Sequence, residues 1–334
     1  HAALSAMGSA DQWWYLARTL FVDRRAYPLF SILFGFGMAI MASRTIERER
    51  RFALDALPPE LSAGWNPVQW EIFRDRVERR AHRAAARLIR RRGWWMLAFG
   101  LLHGIVFSGD IIGAYGLVAV IFAEVIVMRR AWARILAGSL IATLSLMGIT
   151  MGGAMMGREP MVLEYHGPMS LNAWYPLVSF GSWLVATPAT VLTALVVPCV
   201  MIGVGVARWG FLQDPRGRGA LLAGIAFGGL AFGALGGAPF ALMQLDWAFS
   251  NSAAWSYPLF HASGVAGACG WLALLALVGG GPREKLGTVC AFLSAIGRRS
   301  MTAYLSQTLL FILIFSVLGV CGVRSLGVAV SGLI

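Results

Sequence analysis

Two ionisable residues lie inside an apolar stretch at a spacing that lets them interact. The stretch LLHGIVFSGD, residues 101–110, places His103 seven positions before Asp110. On a helix this spacing puts both side chains on one face, about 10 Å apart along the axis. Asp110 follows a glycine and can cap the helix that begins after it. A histidine beside a carboxylate is suited to general acid–base chemistry.

Tyr115 adds a third polar group to this pair. If the segments on either side of Asp110 form a hairpin, Tyr115 lies at nearly the depth of His103. Together the three groups are sufficient for general acid–base chemistry. The same three residues can instead form a polar cluster that only joins two helices. The sequence leaves both interpretations open.

Other polar residues near apolar segments are candidates for binding a substrate. Arg24 and Arg25 precede the first long apolar segment, and arginine binds carboxylate or phosphate bidentately. We predict them as an anchor for an anionic substrate, with contact to lipid headgroups as the alternative. We predict Gln307, which enters a later apolar segment, as a substrate-binding residue that needs a partner from another helix. Glu124 is expected to pair with an arginine, with a proton path as the alternative.

Several kinds of chemistry have no signature in the sequence. The four cysteines are widely spaced and form no metal-ligand pair, so we expect no bound metal. The sequence contains no glycine-rich phosphate loop and no nucleophile elbow. The net charge of +12 could suggest nucleic acid, but no nucleic-acid motif accompanies it. We expect the charge to face anionic lipid headgroups.

The composition predicts the elements that must position these residues. The chain is 58% hydrophobic and 13% charged, whereas soluble domains are about half apolar and about a quarter charged. The apolar residues occur in blocks, and about 20 of them form a helix that crosses a bilayer. We predict an all-α polytopic transmembrane helical bundle with about eight or nine membrane helices. The segments are 26–43, 93–108, 111–128, 133–156, 178–206, 219–242, 258–280, 300–322 and a partial ninth from 325.

The segments divide the chain into four parts. Residues 1–25 form an extracytoplasmic or interfacial start, and 26–43 form a membrane helix. Residues 44–92 form a basic cytoplasmic loop with an amphipathic helix, and 93–334 form a membrane bundle with short loops. Because the sequence starts at His1 and stops inside an apolar run, we expect both ends to be incomplete.

The distribution of basic residues predicts the orientation. If 44–92 is cytoplasmic, 23 of the 28 Lys and Arg residues fall on that side. Such a bias is the positive-inside pattern of multi-pass proteins in a bacterial cytoplasmic membrane. His103 then enters from the cytoplasm, and Asp110 lies at the outer turn.

A basic helix over 68–92 precedes the second membrane segment. Apolar residues recur on it at helical spacing, which suits a helix lying on the inner membrane surface. Its arginines could also bind a polyanion such as the phosphates of coenzyme A. For that alternative we predict four residues as the binding group: Arg83, Arg87, Arg90 and Arg91.

Four blocks of the sequence resemble the YeiB-type membrane proteins, a bacterial family of unknown function. The two most specific blocks are RRRGWWMLAFGLLHGIVFSGDIIGAYGLVAVI at 90–121 and GRRSMTAYLSQTLL at 297–310. The others are PLFSILFGFGMAI at 28–40 and VVPCVMIGVGVARWGFLQDP at 196–215. Members usually carry a further membrane helix at each end. Their resemblance to this chain extends over most of residues 28–310.

The resemblance implies an activity by analogy. The YeiB-type family is distantly similar to transmembrane acyltransferases such as heparan-α-glucosaminide N-acetyltransferase. Those enzymes move an acyl group from cytoplasmic acyl-CoA to an extracytoplasmic acceptor. By this analogy acyl-CoA would be the donor and an envelope glycan or lipid the acceptor, and a homo-oligomer is possible. His103 would be a general base or acyl carrier, Asp110 would orient it or the acceptor, and Tyr115 would assist. Arg24 and Arg25 would anchor the acceptor. The alternatives are a transporter or lipid-handling protein, or a non-catalytic membrane subunit. The sequence shows no matched pair of broken helices of the kind common in transporters.

Overall fold

The fold is all-α throughout the described part of the chain. The structure, a computed structural model, describes residues 8–107, 109–155, 174–210, 212, 214, 215, 217–279, 281 and 287–320. The predicted partial ninth segment from 325 lies outside these residues.

The described residues form thirteen helices, of which two are much longer than a bilayer requires. The helices are α1 Ser9–Phe21, α2 Ala26–Asp55, α3 Pro59–Ser62, α4 Pro67–Val106, α5 Ile112–Ile121, α6 Ala123–Val127, α7 Ala131–Met155, α8 Tyr175–Thr193, α9 Val196–Trp209, α10 Gly219–Gln244, α11 Ala253–Gly279, α12 Thr288–Arg298 and α13 Ser300–Val320. Helices α2 and α4 contain 30 and 40 residues.

The helices fit a multi-pass membrane protein. Five stretches are long and apolar enough to cross a bilayer. They are Ser9–Asp55, Ala131–Met155, Pro176–Thr193, Gly219–Gln244 and Ala253–Gly279. Shorter apolar helices, among them α5 and α9, complete the interior of the bundle. The predicted all-α membrane bundle is confirmed.

Residues 44–92 are largely helical, because α2 and α4 both extend beyond the apolar core as two arms of a hairpin. Asn66 starts the second arm with a capping box, in which its side chain accepts from the Gln69 amide and the Gln69 side chain accepts from the Asn66 amide. Pro67 occupies the first helical position, where it loses no hydrogen bond. The helix then runs without interruption to Val106 and so connects the basic arm directly to His103.

The apolar contacts of the second arm differ from the predicted membrane-surface stripe. Ala85, Ala86 and Ile89 are fully buried in one cluster that includes residues of α2. At the tip, Trp70 and Phe73 pack against Trp65 in the connecting turn. A helix that packs in this way lies against its partner arm, because its small buried residues let the two backbones approach.

Two predicted membrane segments are interrupted. The segment 111–128 divides at Phe122 into α5 and α6. The segment 178–206 divides at Leu195, whose φ of 59° is left-handed, into α8 and α9. Carbonyl groups freed at such breaks need donors inside a membrane, and the Ser145 hydroxyl donates to the Leu192 carbonyl at 2.7 Å. Neither break has a signal in the sequence, because apolar composition continues through both.

Helices α2 and α9 cross in the centre of the bundle at very short distance. A Cβ at Gly203 would lie 1.9 Å from the Ile32 carbonyl oxygen, and one at Gly35 would lie 2.1 Å from the Val200 carbonyl oxygen. Only glycine allows this approach, as expected where small residues replace the hydrophobic effect in membrane helix packing. The crossing anchors α2, against which the α4–α5 hairpin carrying His103 packs.

Candidate functional site

His103 and Asp110 form a buried pair at the turn between α4 and α5. The His103 Nδ1 atom lies 2.8 Å from Asp110 Oδ1. Only 6% of the histidine side chain and none of the aspartate side chain is exposed. The helix end at Val106 and the turn at Asp110 bring the two residues closer than the 10 Å that an unbroken helix would give. The structure therefore brings together the first two predicted site residues.

Asp110 receives four hydrogen bonds, which fill the acceptor capacity of a carboxylate. Besides His103, its donors are the Ile112 amide at 3.2 Å, the Gly113 amide at 2.7 Å and the indole Nε1 of Trp183 at 3.1 Å. Two of these are the amides at the start of α5, so Asp110 caps that helix as the sequence predicts. A buried carboxylate with four donors is stabilised as an anion that accepts from His103 Nδ1–H.

The space for this carboxylate depends on glycines in the hairpin. A Cβ at Gly100 would lie 2.7 Å from Asp110 Oδ2, and one at Gly104 would lie 2.4 Å from the Trp183 ring. The Ser179 hydroxyl, one turn before Trp183 on α8, donates to the Gly104 carbonyl at 2.7 Å. This hydrogen bond joins α8 to α4 and so places the Trp183 indole beside Asp110.

The opposite edge of the imidazole faces α13. The His103 Nε2 atom lies 3.1 Å from the Thr308 hydroxyl oxygen. The rings of Tyr304 and Phe107 lie 5.3 and 5.7 Å from the imidazole ring centroid. Because Thr308 and Tyr304 are one turn apart, a single face of α13 covers the histidine.

These contacts assign opposite roles to the two ring nitrogens. In the neutral imidazole one nitrogen donates and the other accepts. Asp110 can only accept, so Nδ1 carries the proton and Nε2 accepts from the Thr308 hydroxyl. If the ring is protonated, Nε2–H donates to Thr308 Oγ1, whose hydroxyl can then donate to the Tyr304 carbonyl 3.4 Å away. The site can therefore hold a proton at Nε2 without breaking the Asp110 contact.

Tyr115 is buried near this pair but bonds to another helix. Its hydroxyl lies 3.2 Å from the Ser31 hydroxyl on α2, and its ring stacks on Phe34 with centroids 4.9 Å apart. No hydrogen bond joins Tyr115 to His103 within the described residues. The observed contacts connect α5 to α2, and an assisting role in chemistry stays a prediction.

The two predicted anchor arginines differ in environment. Arg25 is 1% exposed and donates to the carbonyl oxygens of Thr19 at 2.6 Å, Asp23 at 2.5 Å and Gly233. These bonds join the α1–α2 corner to α10. Arg24 is exposed and has a left-handed φ of 60°. Of the two, Arg24 has the accessible guanidinium that an anionic ligand requires.

Gln307 is exposed on α13, next to Thr308. Among the described residues it has no hydrogen-bond partner, so the inter-helical partner that the sequence called for is not found there. Its predicted role in substrate binding is not tested by these contacts.

The end of the bundle formed by the α2 and α4 arms together with residues 124–134, here called the arginine-rich end, carries the predicted donor-binding group. Arg90 pairs with Glu124 at 2.9 Å, the ion pair expected from the sequence. Arg83, Arg87 and Arg91 are exposed. None of these three forms an ion pair with any part of the chain that the structure describes.

A cavity of about 430 Å³ opens between the arms at this end. Its charged lining residues are all arginines: Arg44 and Arg48 on α2 and Arg92 on α4. Arg92 also donates to the Met41 sulfur at 3.2 Å, which holds it across the cavity. Eleven residues of α4 separate Arg92 from His103, about 16 Å along the helix axis.

The site partners that come from distant helices could not be predicted from the sequence. Trp183 and Thr308 had no sequence signal, because each lies in an apolar run and contacts His103 or Asp110 only through tertiary packing. Arg44 and Arg48 could have been found from their spacing of one helical turn. Within the described residues, no group of three or more His, Cys, Asp or Glu side chains could hold a metal ion.

Comparisons with known proteins give one match, in the part of the chain that includes Thr308. No curated protein and no solved structure matches the chain significantly. Residues 206–334 match the model of a family described as "Protein of unknown function (DUF418)". Over these residues the match supports the resemblance to a DUF418, YeiB-like family.

Proposed function

We propose that this protein is an acyltransferase-like membrane protein, which moves an acyl group from acyl-CoA to a sugar, lipid or other envelope component. The observation that carries the proposal is the buried His103 imidazole, which lies between the Asp110 carboxylate and the Thr308 hydroxyl. Asp110 holds His103 Nδ1, and Nε2 lies 3.1 Å from the Thr308 hydroxyl. This is the distance at which a general base removes a hydroxyl proton.

In the proposed reaction an acceptor hydroxyl takes the position of the Thr308 hydroxyl beside Nε2. His103 removes its proton while the acceptor oxygen attacks the thioester carbonyl of acyl-CoA. The carbon–sulfur bond breaks, and the CoA sulfur leaves with the proton returned by His103. Asp110 stabilises the imidazolium that exists between the two proton transfers, as in other histidine–carboxylate pairs. Tyr115 is retained as an assisting group.

The arginine-rich end is proposed to bind the donor. Arg44, Arg48 and Arg92 converge on a cavity, and guanidinium groups bind phosphates bidentately. Arg83, Arg87 and Arg91 extend the positive surface along α4, while Arg90 is already paired with Glu124. The flexible pantetheine arm of the donor would have to bridge the roughly 16 Å between Arg92 and His103.

The proposed orientation follows from the concentration of basic residues at one end of the bundle. The arginine-rich end faces the cytoplasm, as the positive-inside rule requires, and acyl-CoA is present there. His103 and Asp110 lie toward the opposite face of a bacterial cytoplasmic membrane. Arg24 and Gln307, both exposed, are the remaining candidates for binding the acceptor.

Calorimetry with the detergent-purified protein tests the donor half of the proposal. Acyl-CoAs of several chain lengths are titrated, with free CoA and inorganic triphosphate as comparisons. We expect acyl-CoA to bind more tightly than triphosphate and to weaken at least tenfold in Arg48→Gln with Arg92→Gln. The matched control is Arg74→Gln with Arg76→Gln, two exposed arginines on α4 that lie outside both the cavity and the predicted donor-binding group, so that equal charge is removed elsewhere. Equal binding of acyl-CoA and triphosphate would contradict the proposal.

Labelled acyl transfer in membrane vesicles tests the role of His103. We expect label to pass from acyl-CoA to a membrane or envelope species in the wild type and to be lost in His103→Gln at unchanged folded yield. The control is His82→Gln, whose histidine lies on the basic arm. Unchanged transfer by His103→Gln would show that His103 is not the general base.

A transporter is the second candidate, because two segments are interrupted inside the bundle. Helices α5 and α6 meet at Phe122, and α8 and α9 meet at Leu195. Broken helices at membrane depth often mark a substrate path in transporters. Proton-coupled uptake by proteoliposomes that fails in Glu124→Gln would favour this candidate over acyl transfer.

A further inference from the structure

A second cavity lies between α7 and α9, away from His103 and from the cavity between the arms. Its volume is about 450 Å³, within the range of small-molecule binding pockets. Apolar residues form its walls, including Ile135 and Ala142 on α7 and Met201 and Ile202 on α9. Ile135 is 65% exposed, so the groove opens sideways between two helices. In a membrane this opening faces lipid.

Two arginines, Arg134 and Arg208, line one end of this groove. Each is held by backbone carbonyl groups: Arg134 Nη1 donates to Met128 at 2.7 Å, and Arg208 Nη2 donates to Ile126 at 3.1 Å. Neither forms an ion pair with any residue that the structure describes. A guanidinium has five N–H donors, so both can bind an anion while keeping these contacts.

The arrangement of the groove matches that of an amphiphile in one leaflet. The two arginines lie at the arginine-rich end, and Trp209, a residue type common at the membrane interface, lines the groove beside them. From Arg134 the apolar wall continues to Ala142, about 12 Å along α7. A charged end at the interface and an apolar strip toward the membrane interior would accommodate a headgroup and its acyl chain.

We propose that this groove binds one anionic phospholipid, with its phosphate on Arg134 and Arg208 and one acyl chain between α7 and α9. The two uncompensated positive charges favour an anionic lipid over a zwitterionic one. The apolar walls favour a lipid over free phosphate, which would use only the charged end. The lipid would join α7 to α9 in addition to the contacts that the protein makes itself.

Gly205 offers a way to block the groove without disturbing the protein. It lines the groove, and a Cβ built on it meets no atom within 4 Å. Gly205→Leu therefore starts a side chain into the groove from an open Cβ position. Gly224→Leu on α10 is the matched control, because that glycine is exposed and its Cβ direction is equally open. Arg134→Gln tests the charge but also removes a structural hydrogen bond.

The experiment is native mass spectrometry of the full chain released from nanodiscs of phosphatidylglycerol and phosphatidylethanolamine. We expect one phosphatidylglycerol to be retained on the wild type and on Gly224→Leu. Retention should fall roughly tenfold in Gly205→Leu, which blocks the groove, and in Arg134→Gln, which removes a charged donor. A tenfold change is the size expected when one charged hydrogen bond is lost. Because Gly205→Leu leaves both arginines in place, its result does not depend on whether Arg134→Gln folds.

Three results would overturn the proposal. The first is equal retention of the two lipids by the wild type, and the second is unchanged phosphatidylglycerol retention by Gly205→Leu. The third is a dimer that Gly205→Leu dissociates, which would assign the groove to a second copy of the chain. A parallel titration with inorganic phosphate distinguishes a lipid phosphate from free phosphate as the bound anion. Displacement of phosphatidylglycerol by millimolar phosphate would indicate a site for free phosphate.

Discussion

The His103 site and the arginine-rich arms use polar residues in opposite ways. At the His103 site, five hydrogen bonds fix one carboxylate and one imidazole whose side chains are almost completely buried. On the arms, ion pairs such as Arg50–Glu78 and Arg51–Glu47 lie on partly exposed helix surfaces. The His103 site has few charged groups, and each is buried with its hydrogen-bond partners. The arms have many charged groups, and their ion pairs are partly exposed.

This difference determines what each region contributes. A buried carboxylate that loses a donor cannot replace it with water, so each contact at Asp110 constrains the position of His103. An exposed arginine that loses its carboxylate is solvated at once, and its charge stays available to a ligand. The His103 site is therefore suited to positioning a proton, and the arms are suited to attracting an anion.

The largest expected effect is the loss of the Asp110 carboxylate. In Asp110→Ala, four donors including His103 Nδ1 lose their acceptor inside the bundle. We expect the free energy of unfolding in detergent to fall by about 3–5 kcal/mol. The comparison is Glu124→Ala, which breaks a half-exposed pair with Arg90 and should cost about 1 kcal/mol or less. Equal losses of unfolding free energy in Asp110→Ala and Glu124→Ala would show that the buried site and the arms do not differ in this way.

An intermediate effect is expected from Trp183, which donates one hydrogen bond to Asp110. Trp183→Phe keeps most of the ring volume and removes the indole N–H. The free energy of unfolding should fall by about 1–2 kcal/mol, the usual result when a charged acceptor loses a donor. Trp132→Phe, at a position 59% exposed, controls for the exchange of ring type and should have little effect. A loss at Trp183 no greater than that at Trp132 would mean that the indole bond is dispensable.

The smallest effect is expected on the arms. Arg50 and Glu78 form two parallel hydrogen bonds of 2.7 and 2.8 Å, a favourable geometry on a solvated surface. Arg50→Gln should lower the free energy of unfolding by less than about 1 kcal/mol, and added salt should reduce the difference from wild type. A salt-independent loss of several kcal/mol would show that the pair is buried by a partner or by the membrane.

Features of the molecule that depend on local spacing could be predicted from the sequence. The all-α membrane bundle followed from blocks of apolar residues. That His103 and Asp110 share one face followed from their spacing, although their 2.8 Å contact depends on the turn after Val106, and the Asp110 cap followed from its place before α5. The Arg90–Glu124 pair required only that two adjacent helices run antiparallel.

Features that depend on distant packing could not be predicted. Trp183 and Thr308 are ordinary residues of apolar helices until α8 and α13 bring them to the site. The breaks at Phe122 and Leu195 lie in uniformly apolar sequence, so composition gave no sign of them. Arg25 looked available for a ligand because its carbonyl partner at Gly233 is 208 residues away.

The claim that Asp110 prepares His103 as a base is tested most directly by nitrogen NMR of the histidine-labelled protein in detergent. The His103 signals are assigned by their loss in His103→Gln, and spectra are recorded in mildly alkaline buffer. We expect a protonated Nδ1 and an unprotonated Nε2, because Asp110 accepts from Nδ1 and leaves the Nε2 lone pair for a hydroxyl. A protonated Nε2 with an unprotonated Nδ1 would contradict the account, since His103 would then have no base directed at Thr308.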